Sequence, residues 1–227
     1  MSRPLISGIS ACVFDAYGTL FDVGNVSQAA RDELPGRWQA LAELWRTKQL
    51  QYTWLRSLAG HHADFWQVTS DALDHALDSL GLEANGLRER LLHEYLRITA
   101  YAEVEPMLRQ LKARGKKLGV LSNGTPAMLE QALANAGIAA YFDAVMSVED
   151  VGVYKPHPDV YALAPQRLQV PKDRICFVSS NGWDAWSAKA FGFTVLWCNR
   201  SAQPAERLPA VPGGQIADLS ELPACLI

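Results

Sequence analysis

Asp15 closes the apolar run Ala11-Cys12-Val13-Phe14 and is followed by Ala16-Tyr17-Gly18-Thr19. A short apolar run that ends in a carboxylate and then a glycine turn aims the carboxylate out of the carboxyl end of a strand. In an open α/β sheet the crevice beyond those ends is where ligands bind, so a carboxylate there can attack one. Three further segments carry reactive or binding side chains at comparable places: Ser122-Asn123, Lys155 within Val153-Tyr154-Lys155-Pro156, and Ser179-Ser180-Asn181-Gly182-Trp183-Asp184. If the strands before them run parallel, all converge with Asp15 on one sheet edge. The set would then hold a nucleophile, a cation and a second acid, which is equipment for covalent and acid-base chemistry.

The elements that must position these residues are legible as apolar runs spaced widely enough to hold helices. After Ala11–Phe14 come Lys117–Leu121, Ala144–Ser147, Ile175–Val178 and Thr194–Trp197, which read as buried parallel strands. Between them, Glu105–Arg114 places Met107, Leu108 and Leu111 on one side and stops at Gly115, while Pro126 opens a helix toward Gly137. Pro158–Leu168 and Trp183–Phe191 complete the alternation. The expected fold is α/β, a Rossmann-like doubly wound parallel sheet. Residues 23–102 break the pattern, with Leu41, Leu44, Trp45 and Lys48, then Leu73, Leu77 and Leu80, recurring at helical spacing. They read as an inserted helical cap, leaving residues 1–22 and 103–227 for the core. The Pro- and Gly-rich tail from Ser201 to Gly214 is expected to wrap the surface.

Composition excludes several function classes. A chain of 227 residues with 49% hydrophobic residues can bury a sizeable core, and a net charge of -3 offers no broad electrostatic surface for nucleic acid or an anionic membrane. Cys12, Cys176, Cys198 and Cys225 have neither zinc-site spacing nor the density of a disulfide scaffold, and the five histidines show no ligand spacing. The N-terminus lacks the apolar stretch of a signal peptide, and no run of about 18 apolar residues occurs, so a cytoplasmic location is expected.

Residues 12 to 22 resemble the first motif of the haloacid dehalogenase superfamily, Ser122 its second, Lys155 its third and Asp184 an acidic position of its fourth. In the superfamily the first Asp is a covalent nucleophile. Most of its phosphatases carry another Asp two positions on and use Mg²⁺; here that position is Tyr17, and Ser179-Ser180-Asn181 lacks the further acid of a magnesium site. The segment Leu44–Ser57 and the loop Ser179–Asp184 closely resemble the L-2-haloacid dehalogenase family. That resemblance implies displacement of halide from carbon 2 by Asp15, an ester intermediate and its hydrolysis, with no metal or cofactor. It assigns Arg46 and Asn123 to the halide, and Ser122 with the backbone N–H groups of the Tyr17-Gly18 turn to the substrate carboxylate. Thr19 orients Asp15; Asp184 activates water, with Lys155, Ser179 and Asn181 holding the geometry and Tyr161 supporting Lys155 or Asp184. Tyr17, Leu50, Phe65 and Trp183 match the family's apolar pocket. A 2-haloacid substrate and a homodimer are implied.

Each residue also has a plainer reading. An Asp after a strand often caps a turn, Arg46 on a helix is ordinarily solvated, Lys155 could sit in an exposed loop, and Asp184 could cap the helix it begins. Ser122, Ser179 and Asn181 could bond backbone in turns, and Leu50, Phe65 and Trp183 could be core. Two rival functions stay open at this point: a magnesium-dependent phosphatase or phosphonatase on the same fold, and a non-catalytic module that binds a small carboxylate.

Overall fold

Strand β1 (Ala11–Phe14) is buried at every position, as a strand covered on both faces must be. The computed structural model describes residues 4–24, 26, 31, 34–83 and 86–227 of the chain. Between β1 and the next strand lie α1 (Trp38–Ala59), α2 (Phe65–Ser79), α3 (Leu87–Leu96) and α4 (Val104–Ala113). The chain then alternates: β2 (Lys117–Ser122), α5 (Pro126–Asn135), β3 (Ala144–Ser147), α6 (Pro158–Leu168), β4 (Ile175–Ser179), α7 (Gly182–Phe191) and β5 (Thr194–Cys198). These elements follow the apolar runs within a residue or two. Two elements do not: α3, and a short edge strand β6 (Gly214–Ile216) that begins where the tail expected to wrap the surface ends. A last short helix, α8, spans Leu222–Cys225.

Among the described residues the six strands pair in parallel in the order β3-β2-β1-β4-β5-β6. The fold is therefore a doubly wound α/β sheet of Rossmann-like order. β1 is central, with Phe14 level with Val120 on one side and Val178 on the other. Strand order reverses between β1 and β4, which makes the crevice beyond their carboxyl ends the favoured ligand site. Asp15 and the Ser179–Asp184 loop flank it.

The helices form where sequence says why. Asp64 caps α2 by accepting from the Gln67 N–H at 2.8 Å, and Thr125 caps α5 by accepting from Met128 N–H at 3.2 Å, with Pro126 in the first turn. α4 buries Met107, Leu108 and Leu111, and each such side chain contributes about 1.5–3 kcal/mol of hydrophobic stabilisation. α1 buries the stripe Leu41, Trp45, Gln49 and Thr53, each one helical turn from the last. The inserted helices are tied to the sheet's edge next to Lys155: the Tyr154 N–H donates to Ser57 Oγ at 3.0 Å, and the Tyr154 hydroxyl donates to the Ala63 carbonyl at 2.6 Å. Among the described residues no helix is long and apolar enough to cross a membrane.

Candidate active site

The Asp15 backbone continues the β1 ladder, its N–H donating to Val178 O at 3.0 Å, while its side chain leaves the strand end. One carboxylate oxygen, Oδ1, accepts from Lys155 Nζ at 3.1 Å. The other, Oδ2, accepts from the Thr19 hydroxyl at 3.0 Å and from Asn181 Nδ2 at 2.8 Å. Three donors from three loops thus fix a carboxylate that is only 6% exposed. Thr19 is itself held, since its Oγ1 accepts from the Ser180 N–H at 2.8 Å and its carbonyl accepts from Arg200 at 2.9 Å.

The turn after Asp15 depends on Gly18, whose φ of 86° is one that L side chains rarely adopt. It swings Tyr17 back over the site, where the ring stacks on Tyr95 at 5.4 Å and meets Phe65 at 5.9 Å. Gly124 faces that ring so closely that a Cβ would lie 2.8 Å from it. The turn also changes one expectation. The Gly18 N–H donates to the Phe21 carbonyl at 2.8 Å, so it is spent within the turn and is not offered to a substrate carboxylate. Ser122 accepts from the Gly124 N–H at 3.1 Å through Oγ and keeps its own hydroxyl proton to donate.

Lys155 and Asp184 are fully enclosed, at 1% and 0% exposure. The ammonium bridges the two carboxylates, reaching Asp184 Oδ2 at 2.9 Å, and lies 5.1 Å over the Phe177 ring. Burial works against its charge, but attraction to Asp15 and Asp184 outweighs it and holds Lys155 above the ordinary lysine value. Asp184 is also raised, chiefly by burial and then by the Asp15 charge, against the lowering effect of Lys155 and Tyr161. One ammonium divided between two acids does not fully offset the burial of the deeper one. Tyr161 supports Asp184, donating to Oδ1 at 2.7 Å; burial foremost, and then the Asp184 charge, keep that phenol neutral and a donor.

Asn181 joins the two halves of the site. Its amide nitrogen donates to Asp15 and to the Tyr17 carbonyl at 3.3 Å, and its Oδ1 accepts from Arg46 Nη2 at 3.2 Å. Ser179 Oγ accepts from the Asn181 N–H at 3.2 Å, and Asn123 Oδ1 from the Lys155 N–H at 3.2 Å, which leaves the Asn123 amide nitrogen as the group it can offer a ligand. Tyr17, Arg46, Leu50, Phe65, Ser122, Asn123 and Trp183 line one cavity with Asp15 and Asn181, so the residues expected at the substrate come together. It holds about 10 Å³ of free space, room for about one water. Larger hollows exist, including one of about 520 Å³ on the far side of Arg46, but none of those described reaches Asp15. Chemistry, not size, selects the small one. Sequence reasoning did not single out Gln49, whose Oε1 accepts from Arg46 Nη1 at 2.7 Å, nor Arg200 behind Thr19. The three-residue spacing of Arg46 and Gln49 on one helix was the available signal.

A nucleophile-ready carboxylate, a buried second acid behind it and an arginine on the same small pocket suit displacement at carbon followed by hydrolysis. Comparison with known proteins gives the same direction. Residues 9–192 match the family model described as haloacid dehalogenase-like hydrolase. An (S)-2-haloacid dehalogenase of Pseudomonas putida is 44% identical over 98% of both chains, and one of Xanthobacter autotrophicus 46% identical over 90% of this chain and 81% of its own length. A crystal structure of an L-2-haloacid dehalogenase superposes with a TM-score of 0.93 at 48% identity, covering 95% of this chain and 97% of its own. The Xanthobacter autotrophicus L-2-haloacid dehalogenase with chloropropionic acid covalently bound gives 0.88 at 40% identity, with the same coverage.

Proposed function

Since the chain belongs to the haloacid dehalogenase-like hydrolases, and within them to the (S)-2-haloacid dehalogenases, we propose that it hydrolyses L-2-haloalkanoic acids to D-2-hydroxyalkanoic acids and halide. The observation that carries the reading is the Asp15 carboxylate, held by Lys155, Thr19 and Asn181 at the wall of a pocket that Arg46 closes.

In the first step an Asp15 oxygen attacks carbon 2 from the side opposite the halogen. The new C–O bond forms as the C–X bond breaks, and the halide leaves with the bonding pair, which inverts carbon 2. Negative charge grows on the departing halide, so the Arg46 guanidinium and the Asn123 amide stabilise the transition state more than the substrate. Ser122 donates to the substrate carboxylate. In the second step Asp184 takes a proton from water, the hydroxide adds to the Asp15 ester carbonyl, and the hydroxy acid leaves after taking a proton. Asp15 is restored as a carboxylate with one oxygen from water once the second water proton is lost, so each turnover consumes one water and releases one halide and one proton.

Asp184 must be ionised to act as base, and burial raises it. The acid limb of ester hydrolysis is therefore expected above the ordinary aspartate range. Tyr161→Phe removes a hydrogen bond that favours the ionised form, so the limb should move to still higher pH, with the rate regained as pH rises. A pH profile of the hydrolysis step checks this; an unmoved limb would separate Tyr161 from the base.

With residues 23–102 as cap and 1–22 plus 103–227 as core, the reaction is placed at their seam, Arg46, Leu50 and Phe65 coming from the cap. A homodimer is supported by Leu55 and Leu58, 53% and 85% exposed on the long cap helix. A cytoplasmic location is supported by four buried free thiols. The direct test is halide release from L- and D-2-chloropropionate in excess EDTA. Release from the L form alone is expected; silence on both, with phosphate released from phosphoesters once Mg²⁺ is added, would overturn the reading.

A further inference from the structure

Gln49 sits in the middle of the stripe that α1 buries and is 2% exposed. A primary amide in that place is costly unless its polar atoms find partners, and here they do. Its Nε2 donates to Thr69 Oγ1 at 2.8 Å on α2 and to the Tyr95 hydroxyl at 3.2 Å on α3, and its Oε1 faces Arg46 Nη1 at 2.7 Å. Thr69 gives its own proton to the Phe65 carbonyl at 2.6 Å, so toward Gln49 it can only accept. That settles which end of the amide faces the arginine: turned about, its NH₂ would meet the guanidinium, donor against donor. Three helices thus fix one neutral oxygen against Arg46.

We propose that Gln49 is a positioning residue for halide displacement, its oriented carbonyl oxygen holding the Arg46 guanidinium on the departing halide without neutralising it. The inference rests on the reading of Arg46 given above. A flexible arginine surrenders rotamer freedom to hold one pose, and a preset acceptor removes that loss from the reaction itself. Neutrality matters as much as position. A carboxylate there would accept the same hydrogen bond but compensate the positive charge that the halide needs.

Single-turnover halide release, with L-2-chloropropionate and L-2-bromopropionate, separates this from mere packing. Gln49→Met is expected to slow chloride release on the order of tenfold, within the range shown by coupled neighbouring side chains. Bromide, the better leaving group, should suffer less, and hydrolysis of the ester once formed should keep its rate. Gln49→Glu should also be slow on chloride although it preserves the acceptor. Tyr95→Phe, which keeps the ring on Tyr17 and removes one hydrogen bond to Gln49, should show the same preference to a smaller extent; it carries the test if the Gln49 variants fail to fold. Chloride release at the unaltered rate, or equal losses for both halides, would overturn the proposal. An unaltered protein that releases no halide from either L substrate would instead overturn the functional reading.

Discussion

Asp15→Asn should lower halide release by about 10⁴-fold or more, the scale on which removal of a nucleophile falls in enzymes that act through covalent intermediates. The substitution changes charge with little change of shape, so the loss is specific to chemistry. Thr19 and Asn181 can still donate together to the side-chain oxygen, which leaves the new NH₂ facing the Lys155 ammonium, donor against donor. An amide is also a poor nucleophile toward carbon. A labelling experiment sharpens the prediction. In a single turnover of the unchanged protein in ¹⁸O-water the hydroxy acid should emerge unlabelled and the label should be found in Asp15, because water attacks the ester carbonyl and the product keeps the aspartate's former oxygen. Label in the first product would mean that water attacks carbon 2 directly, with Asp15 reduced to a base.

The residues on which that prediction depends were legible because parallel strands covered on both faces must be apolar throughout. Their ends therefore stand out wherever a polar residue interrupts: Asp15 after Phe14, Ser122 after Leu121, Ser179 after Val178. The edge strand β6 gave no such signal, since Gly214, Gln215 and Ile216 form three residues of which one is buried. The Tyr17-Gly18 turn was recognised, yet the spending of its Gly18 N–H on Phe21 follows from closure of the turn in three dimensions and has no sequence pattern. Gln49 was hidden for another reason. Its partners Thr69 and Tyr95 stand 20 and 46 positions away on other helices, and a polar residue in an apolar helical stripe reads as an interruption until those partners are seen. Arg200 is similar: it reaches the Thr19 carbonyl from the far end of the chain while lying 3.8 Å over the Tyr101 ring.

Lys155→Met should abolish turnover and destabilise the fold together, and the two losses share one cause. The ammonium is the cation that bridges Asp15 and Asp184, all three being buried. Without it the two carboxylates cannot both remain ionised in that space, and Asp184, already raised by burial, takes the proton. The base of the second step is then lost at neutral pH, for a fall of about 10³-fold or more in turnover when the lost charge stabilisation of the first step is added. Removing one partner of a buried ion pair costs about 3–5 kcal/mol of stability because charge is left uncompensated. The sign with pH follows. In the unchanged protein Lys155 lies above its ordinary value, so its contribution is fully present below the ordinary lysine range and fades only as pH rises through the folded-state value. In the variant Asp184, already raised by burial and now without its cation, binds a proton more tightly folded than unfolded, so stability increases as pH falls. Urea titrations at pH 8 and pH 5 should therefore show a wide gap between variant and unchanged protein at the higher pH and a narrower one at the lower. A gap of equal size at both would mean that Lys155 matters by its packing on Phe177 and not by its charge.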